Sequence, residues 1–272
     1  MKELTDPRTL IKSAARRRAR TRAAVAAATA LTAAGALTLA AAVGSALAAA
    51  APAAASAVSL SGWKLTLPVD SSGCPCGSAT EVDPAAVRAP WLVRNANGSL
   101  TFWAPTKGAH TPNSLHPRTE LVDLSDFTAG SGTHTLKGTF SIQKLPSAND
   151  IIIGQIHGGG SSSAIPLVML HYRSGAIVAV TRKSPAVGGS TTATVLTGVP
   201  LNAAFSCTIE QNGSKFLISA AYGAKSGQAT VAVPSSFKGM DVRFQAGDYQ
   251  QTDANQSSTD GGRLTIIALS AS

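Results

Sequence analysis

The stretch Phe205-Ser206-Cys207-Thr208-Ile209-Glu210-Gln211-Asn212-Gly213-Ser214-Lys215-Phe216-Leu217-Ile218-Ser219-Ala220-Ala221 decides the fold class. In its first arm Phe205, Cys207 and Ile209 fall on one parity, with polar residues between them. A strand sends successive side chains to opposite faces, so this period of two reads as a half-buried strand. Cys207 is then a small buried apolar residue. Asn212-Gly213 between two such arms is a strong hairpin signal, because tight hairpin turns need residues that accept positive φ.

Outward from this hairpin the same pattern recurs. Short β-rich runs broken by Gly, Asn, Ser and Pro predict strands at 99–104, 118–124, 134–144, 150–157, 166–172, 175–181, 192–197, 204–211, 215–221, 228–233, 241–251 and 263–270. Ser174-Gly175 marks a second turn. Helical periodicity is nearly absent; Asp83 to Val87 reads as a short helical turn, with Asp83 as N-cap and Pro84 in first position. Many short strands at this spacing indicate an all-β chain, a sandwich or β-jelly roll rather than an α/β fold. In the 134–144 run Leu136, Phe140 and Ile142 should face inward, and Lys137, Thr139, Ser141 and Gln143 the other way. A jelly roll with one long polar concave face would offer a groove for an extended polymer.

Residues 1–57 read differently. Eight Lys and Arg within the first 22 residues precede an uncharged, Ala-dominated run to about Ala51, and Ala55-Ser56-Ala57 offers a small-residue cleavage site. That order is a secretory signal's, and it predicts export with cleavage after Ala57. The run is also long enough to span a bilayer, so a retained anchor is the alternative. Of the +9 net charge, most belongs to this leader: without its eight basic and two acidic residues, 15 basic face 12 acidic, or +3. The high pI is therefore poor support for nucleic-acid binding, while a modest positive balance suits an anionic polymer. Residues 58–272 then form one all-β domain, expected to act as a monomer. Of the three cysteines, Cys74 and Cys76 share a Gly/Ser-rich loop, where pairing across one residue is strained but possible. Neither a metal site nor a cofactor is indicated.

Three polar stretches lie on predicted strands: Arg118-Thr119-Glu120-Leu121, Gln155-Ile156-His157, and Gln245-Ala246-Gly247-Asp248-Tyr249-Gln250-Gln251. In each, the reactive side chains are two or four apart, so each set can line one side of a sheet. Singly, each has a plainer reading: a surface ion pair, a solvated strand face, a half-buried tyrosine. Together they suit the breaking of a 1,4-linked uronate polymer by elimination. There the hard step is removal of the C5 proton beside an ionised carboxylate. The site must neutralise that carboxylate, supply a base at C5 and supply an acid at the departing O4. Arg118 can grip the carboxylate and Gln155 can donate to it. His157, with an ordinary pKa near ~6.5, can act as base. Tyr249 can protonate O4, and can also serve as base when the C5 proton lies on its side. Glu120 is the natural partner for orienting Arg118 and is placed, with Arg243, Gln245 and Gln251, among the residues of the substrate-binding surface.

These motifs resemble the alginate lyases of polysaccharide lyase family seven, which carry R-[ST]-E-L-R, Q-[IV]-H and Y-F-K-A-G-x-Y-x-Q in this order. Arg118-Thr119-Glu120-Leu121 is similar to the first, after a similar approach at Asn113-Ser114-Leu115-His116-Pro117; Gln155-Ile156-His157 is similar to the second. Phe244 to Gln251 is similar to the third at Phe244, Ala246, Gly247, Tyr249 and Gln251, and Trp63-Lys64-Leu65-Thr66-Leu67-Pro68 resembles the family's opening strand. The resemblance implies a β-jelly roll with the polymer in its concave groove, and Arg118, Gln155, His157 and Tyr249 as the catalytic set. Ile156 in the second motif implies acceptance of guluronate-containing stretches. Three positions depart from the pattern: Val122 replaces an Arg, Gln245 a Lys and Arg243 an aromatic residue. Arg243, on the same parity as Gln245, is positioned to restore one lost charge. Alternatives at this point are a lyase for another polyuronate such as glucuronan and a non-catalytic carbohydrate-binding module. A hydrolase needs two carboxylates about 5–9.5 Å apart, and no strand shows the acidic alternation that would present them.

Overall fold

The computed structural model describes residues 57–160, 165–186, 188–253 and 257–272. The leader predicted over residues 1–57 lies, except for Ala57, outside the described residues. The strands are β1 (Trp63–Leu67), β2 (Thr80–Val82), β3 (Leu92–Arg94), β4 (Leu100–Pro105), β5 (Arg118–Asp123), β6 (Phe127–Thr128), β7 (Thr133–Lys144), β8 (Asp150–Gly158), β9 (Pro166–Arg173), β10 (Ala176–Arg182), β11 (Ser190–Leu196), β12 (Ala204–Asn212), β13 (Lys215–Tyr222), β14 (Lys225–Ala232), β15 (Asp241–Gln250) and β16 (Gly261–Ala271). Each of the twelve runs expected from alternation is a strand, within a few residues at its ends.

The β12–β13 hairpin forms with Asn212 opposite Lys215, so its two loop residues are Gly213 and Ser214, one position later than expected. Gly213 has φ +54°, which is the conformation the turn demands. Ser174 (φ +49°) and Gly175 (φ +85°) make the turn between β9 and β10. The helical signal at Asp83 is a single 3₁₀ turn, Pro84–Ala86, capped by Asp83 accepting from Ala85 N at 2.9 Å. The turn stops there because Val87 is already extended.

All strand pairings are antiparallel and build two sheets. One runs β11-β10-β9-β8-β15-β5-β1-β2, with β6 paired to β15; the other runs β14-β13-β12-β7-β16-β4-β3. This is the expected β-jelly roll sandwich. Ile151, Ile153 and Ile156 of β8, Leu121 of β5, and Val242, Phe244 and Ala246 of β15 bury one face of the first sheet. They pack in one core with Phe102, Phe140, Ile142, Phe205, Ile209, Leu264 and Ile266 of the second. Each of the Val, Leu, Ile and Phe side chains among them, fully withdrawn from water, contributes about 1.5–3 kcal/mol. Cys207 is buried there, and burial pushes its thiol pKa up. In β7 Leu136, Phe140 and Ile142 are buried as expected, but Lys137 and Thr139 belong to the second sheet and do not face the strands carrying the polar motifs.

Cys74 and Cys76 are joined as a disulfide. Asp70 closes the same loop by accepting from Ser72 N and Oγ and from Cys74 N. Asp70, Cys74 and Cys76 put three ligand-type atoms together, but with the two sulfurs joined to each other they present no thiolate for a metal.

Candidate active site

The three motif strands β5, β15 and β8 lie side by side in the first sheet. Their register converts separate motifs into one surface. Arg118 pairs with Tyr249, Glu120 with Gly247 and Val122 with Gln245 across the β5–β15 ladder. Across β15–β8, Gln245 pairs with Gln155 and Arg243 with His157. Paired residues share a face, so the catalytic candidates and Arg243, Gln245 and Gln251 all line one groove of about 380 Å³.

An irregularity in β8 makes this possible. Ile151, Ile153 and Ile156 all enter the core, whereas Ile152, Gln155 and His157 line the groove. The alternation slips by one residue around Gly154, where the pairings to both neighbours shift register. A bulge of this kind re-aims the side chains beyond it. Gly247 serves a related need on β15. A Cβ there would come 2.5 Å from Thr119 O and 2.7 Å from Glu120 Cα, so only glycine lets the two strands close at this rank.

Glu120 is completely buried, which corrects its placement among residues that meet substrate. It lies beneath the groove. Arg118 Nη1 donates to its Oε2 at 3.2 Å, and Gln155 Nε2 donates to its Oε1 at 2.8 Å and Oε2 at 2.9 Å. Burial raises the Glu120 pKa; the Arg118 charge and the Gln155 and Arg118 hydrogen bonds pull against that rise. The sequence could not distinguish this site from an exposed one, since Glu120 has the same strand parity as Arg118.

Gln155 also departs from expectation. Its amide nitrogen, expected to face substrate, donates both to Glu120 and to Gln245 Oε1, the latter at 2.9 Å. The two N–H bonds of a primary amide are then committed. Gln155 Oε1 is buried with no partner among the described residues.

Arg118 is itself nearly buried and lies over the Tyr249 ring, with its guanidinium carbon 3.5 Å from the ring centroid. Its Nη2 reaches Thr111 Oγ1 at 3.5 Å. The Tyr249 hydroxyl meets Ser114 Oγ at 2.7 Å. Thr111 and Ser114 come from the loop between β4 and β5 and complete the groove wall. Neither was assigned a role from the sequence: a loop has no periodicity to announce which side chains turn inward.

His157 is held neutral. Burial first, then the Arg118 charge, lower its pKa to about 4, with Arg243 adding to the effect and the Gly158 carbonyl opposing it. Its Nδ1 is 3.4 Å from Gly158 O. With the proton on Nδ1, Nε2 keeps its lone pair. The ordinary imidazole value expected from the sequence is thus replaced by a weaker base that stays unprotonated well below neutrality. Gln251 turns its amide nitrogen back onto Tyr249 O and Gln250 O at 3.2 and 3.0 Å. Glu81 is the one carboxylate among the described residues that line the groove. A two-carboxylate hydrolytic pair is therefore not assembled by these residues.

Comparison with known proteins gives the same direction. A family model described as alginate lyase matches residues 58–272. No match was found among curated proteins. Among solved structures, alginate lyase A1-II′, a member of polysaccharide lyase family 7, is 26% identical, with a TM-score of 0.67 over 79% of this chain and 96% of that one. An alginate lyase from Pseudomonas aeruginosa is 30% identical, with a TM-score of 0.66 over 79% of this chain and 99% of that one. An alginate lyase from Klebsiella pneumoniae, 22% identical at a TM-score of 0.69 over 81% and 98%, shares the fold.

Proposed function

The chain belongs to the alginate lyase family whose model spans residues 58–272, and from that premise we propose how its groove performs the elimination. The protein is a polysaccharide lyase that cleaves alginate. The observation that carries the assignment of roles is the shared register: a neutral imidazole, a phenol and a buried guanidinium meet on one groove face.

In this reading Arg118 draws charge from the uronate carboxylate in the reacting subsite, which makes the C5 proton removable. His157 Nε2 takes that proton. The electron pair released forms the C4=C5 double bond, the C4–O bond breaks, and Tyr249 Oη delivers a proton to the departing oxygen. No water is consumed, and the new non-reducing end is an unsaturated uronate. In guluronate the C5 hydrogen and O4 lie on opposite faces, so two separate groups serve the step. In mannuronate they lie on the same face, and Tyr249 acts in both roles. The His157/Tyr249 pair equips the site for guluronate, and Ile156 in the second motif supports a preference for guluronate-containing stretches. Variants of lyase A1-II′ changed from Tyr to Phe, alone or with His to Asn, have been solved with product and with substrate respectively, which supports seeking this pair here.

Arg243, beside His157, binds a neighbouring carboxylate, and Gln251 offers its free oxygen to a sugar hydroxyl. The protein works as a monomer and outside the cell after removal of its leader; the export reading is supported by the basic, Ala-rich start of the chain ending at Ala55-Ser56-Ala57.

The test is to incubate residues 58–272 with alginate, polyguluronate and polymannuronate and follow the ultraviolet absorbance of the unsaturated product. Polyguluronate should react fastest. Absence of product from all three would sink the elimination, and a faster reaction with polymannuronate would sink the guluronate preference.

A further inference from the structure

We infer that Gln245 meets the substrate carboxylate with its amide N–H, and that Glu120, acting through Gln155, fixes the amide in that direction. The inference rests on the polyuronate reading above and deepens it.

Hydrogen-bond direction is passed along one chain of contacts from Glu120 through Gln155 to Gln245. Glu120 is fully buried and paired with Arg118 at 3.2 Å, so its oxygens act as acceptors. Gln155 must therefore turn its nitrogen toward Glu120, which it does at 2.8 and 2.9 Å. Its remaining N–H goes to Gln245 Oε1 at 2.9 Å. That bond holds the Gln245 oxygen against Gln155 and leaves the Gln245 nitrogen on the other side. Gln245 lines the groove, and its nitrogen makes no hydrogen bond among the described residues. Val122, its partner across β5, has no polar group to capture it.

A second observation supports the direction. Gln155 Oε1 is buried without a partner, a cost a freely rotating amide would avoid. Gln155 is therefore oriented by what it must donate to, not by its own satisfaction. A lysine at position 245 would carry its own charge and need no such guidance. A glutamine is donor or acceptor according to how it is turned, and the buried carboxylate decides which. Glu120 and Gln155 are thus positioning residues, and Gln245 is the donor that replaces a cation.

The test compares the wild type with Gln245→Leu, Gln245→Glu and Gln245→Lys, reading turnover, affinity for a saturated guluronate trimer by calorimetry, and thermal stability. Loss of a hydrogen bond to a charged group should lower kcat/KM of Gln245→Leu by about tenfold to a hundredfold, more in kcat than in KM, because the carboxylate gains charge as the proton leaves. Gln245→Lys should recover most of that loss. Gln245→Glu should be poor at neutral pH and recover as the pH falls, when its carboxyl becomes a donor; a merely structural role would not produce this altered pH profile. Trimer affinity and kcat/KM within twofold of wild type for Gln245→Leu would overturn the inference, as would an unchanged pH profile for Gln245→Glu. If the wild type binds the trimer but makes no unsaturated product, the lyase reading fails, while the affinity comparison still decides the role of Gln245. If the wild type does not bind the trimer, both fail.

Discussion

The Arg118 guanidinium carbon lies 3.5 Å from the centroid of the Tyr249 ring, directly across the β5–β15 ladder. One cation thus braces the face of the phenol while Nη1 holds Glu120 below and Nη2 reaches the groove wall at Thr111. The stack depends on the ring and not on the hydroxyl. Tyr249→Phe should therefore keep the ring in place and lose only the bond to Ser114 Oγ, at a cost of about 0.5–1.5 kcal/mol in stability. Turnover, by contrast, should fall by about 10²–10⁴, the contribution of a positioned acid–base group. Thermal melting and product absorbance measured on the same variant separate the two effects; normal turnover would remove Tyr249 from the chemistry.

His157 should titrate near 4 and not at the ordinary imidazole value of 6.5. Because its folded-state pKa is depressed, the unfolded chain binds the extra proton first as pH falls from 6.5 toward 4, and the fold loses stability across that window. The base stays competent through the mildly acidic range. Arg243→Met removes one of the charges that lower this pKa, so it should move the titration upward. Following the His157 ring protons by NMR in both proteins checks the position and the direction.

Glu120 carries more of the fold than a surface carboxylate would. Glu120→Ala would strip the acceptor from both Arg118 and Gln155 in a fully buried setting. Removing one partner of a buried ion pair costs about 3–5 kcal/mol, because the other charge is left uncompensated. Glu120→Gln keeps the shape and one acceptor and should cost less. Urea unfolding of the two variants tests the order; equal stability of wild type and Glu120→Ala would mean that the pair contributes nothing.

Alternation made the long strands legible, and with them the fold and most of the groove face. Where it failed, the reasons are physical. β2, β3 and β6 are two or three residues long, too short to display a period. The polar side of β7 was legible from alternation, but not its sheet, because which sheet a strand joins depends on long-range pairing that its own residues do not encode. Gln155 and His157 were placed correctly relative to each other, but the slip at Gly154 that turns them away from Ile153 leaves no mark in a single sequence. Glu120 and Gln245 were on the right strand faces; what each touches followed only from the register of three strands distant in sequence. Depth below the groove, rather than parity, separates a residue that binds from one that orients.

Asp248 offers the cleanest case of a buried acid outside the groove. It sits on the opposite parity of β15 from Tyr249, completely buried, with Oδ2 accepting from Ala104 N at 3.1 Å and Oδ1 without a partner among the described residues. Burial raises its pKa well above 3.8, the Ala104 hydrogen bond opposes this, and the nearby Glu120 charge pushes it further up. A carboxyl whose folded pKa is raised holds its proton in the fold after the unfolded chain has released it. Its contribution to stability is therefore greatest at low pH and declines as pH rises from 3.8 toward the folded value. This slope is opposite in sign to that of His157, so the two are separated by difference, not by the wild-type curve alone. Asp248→Asn keeps an acceptor for Ala104 N and cannot ionise. It should lose Asp248's share of the decline above pH 3.8, keep the share that the raised Glu120 carboxyl contributes, and match or exceed the wild type near neutrality, where the buried acid is under pressure to ionise. Denaturation midpoints taken across pH for both proteins test this; a variant whose curve parallels the wild type would show that Asp248 is already ionised in the fold.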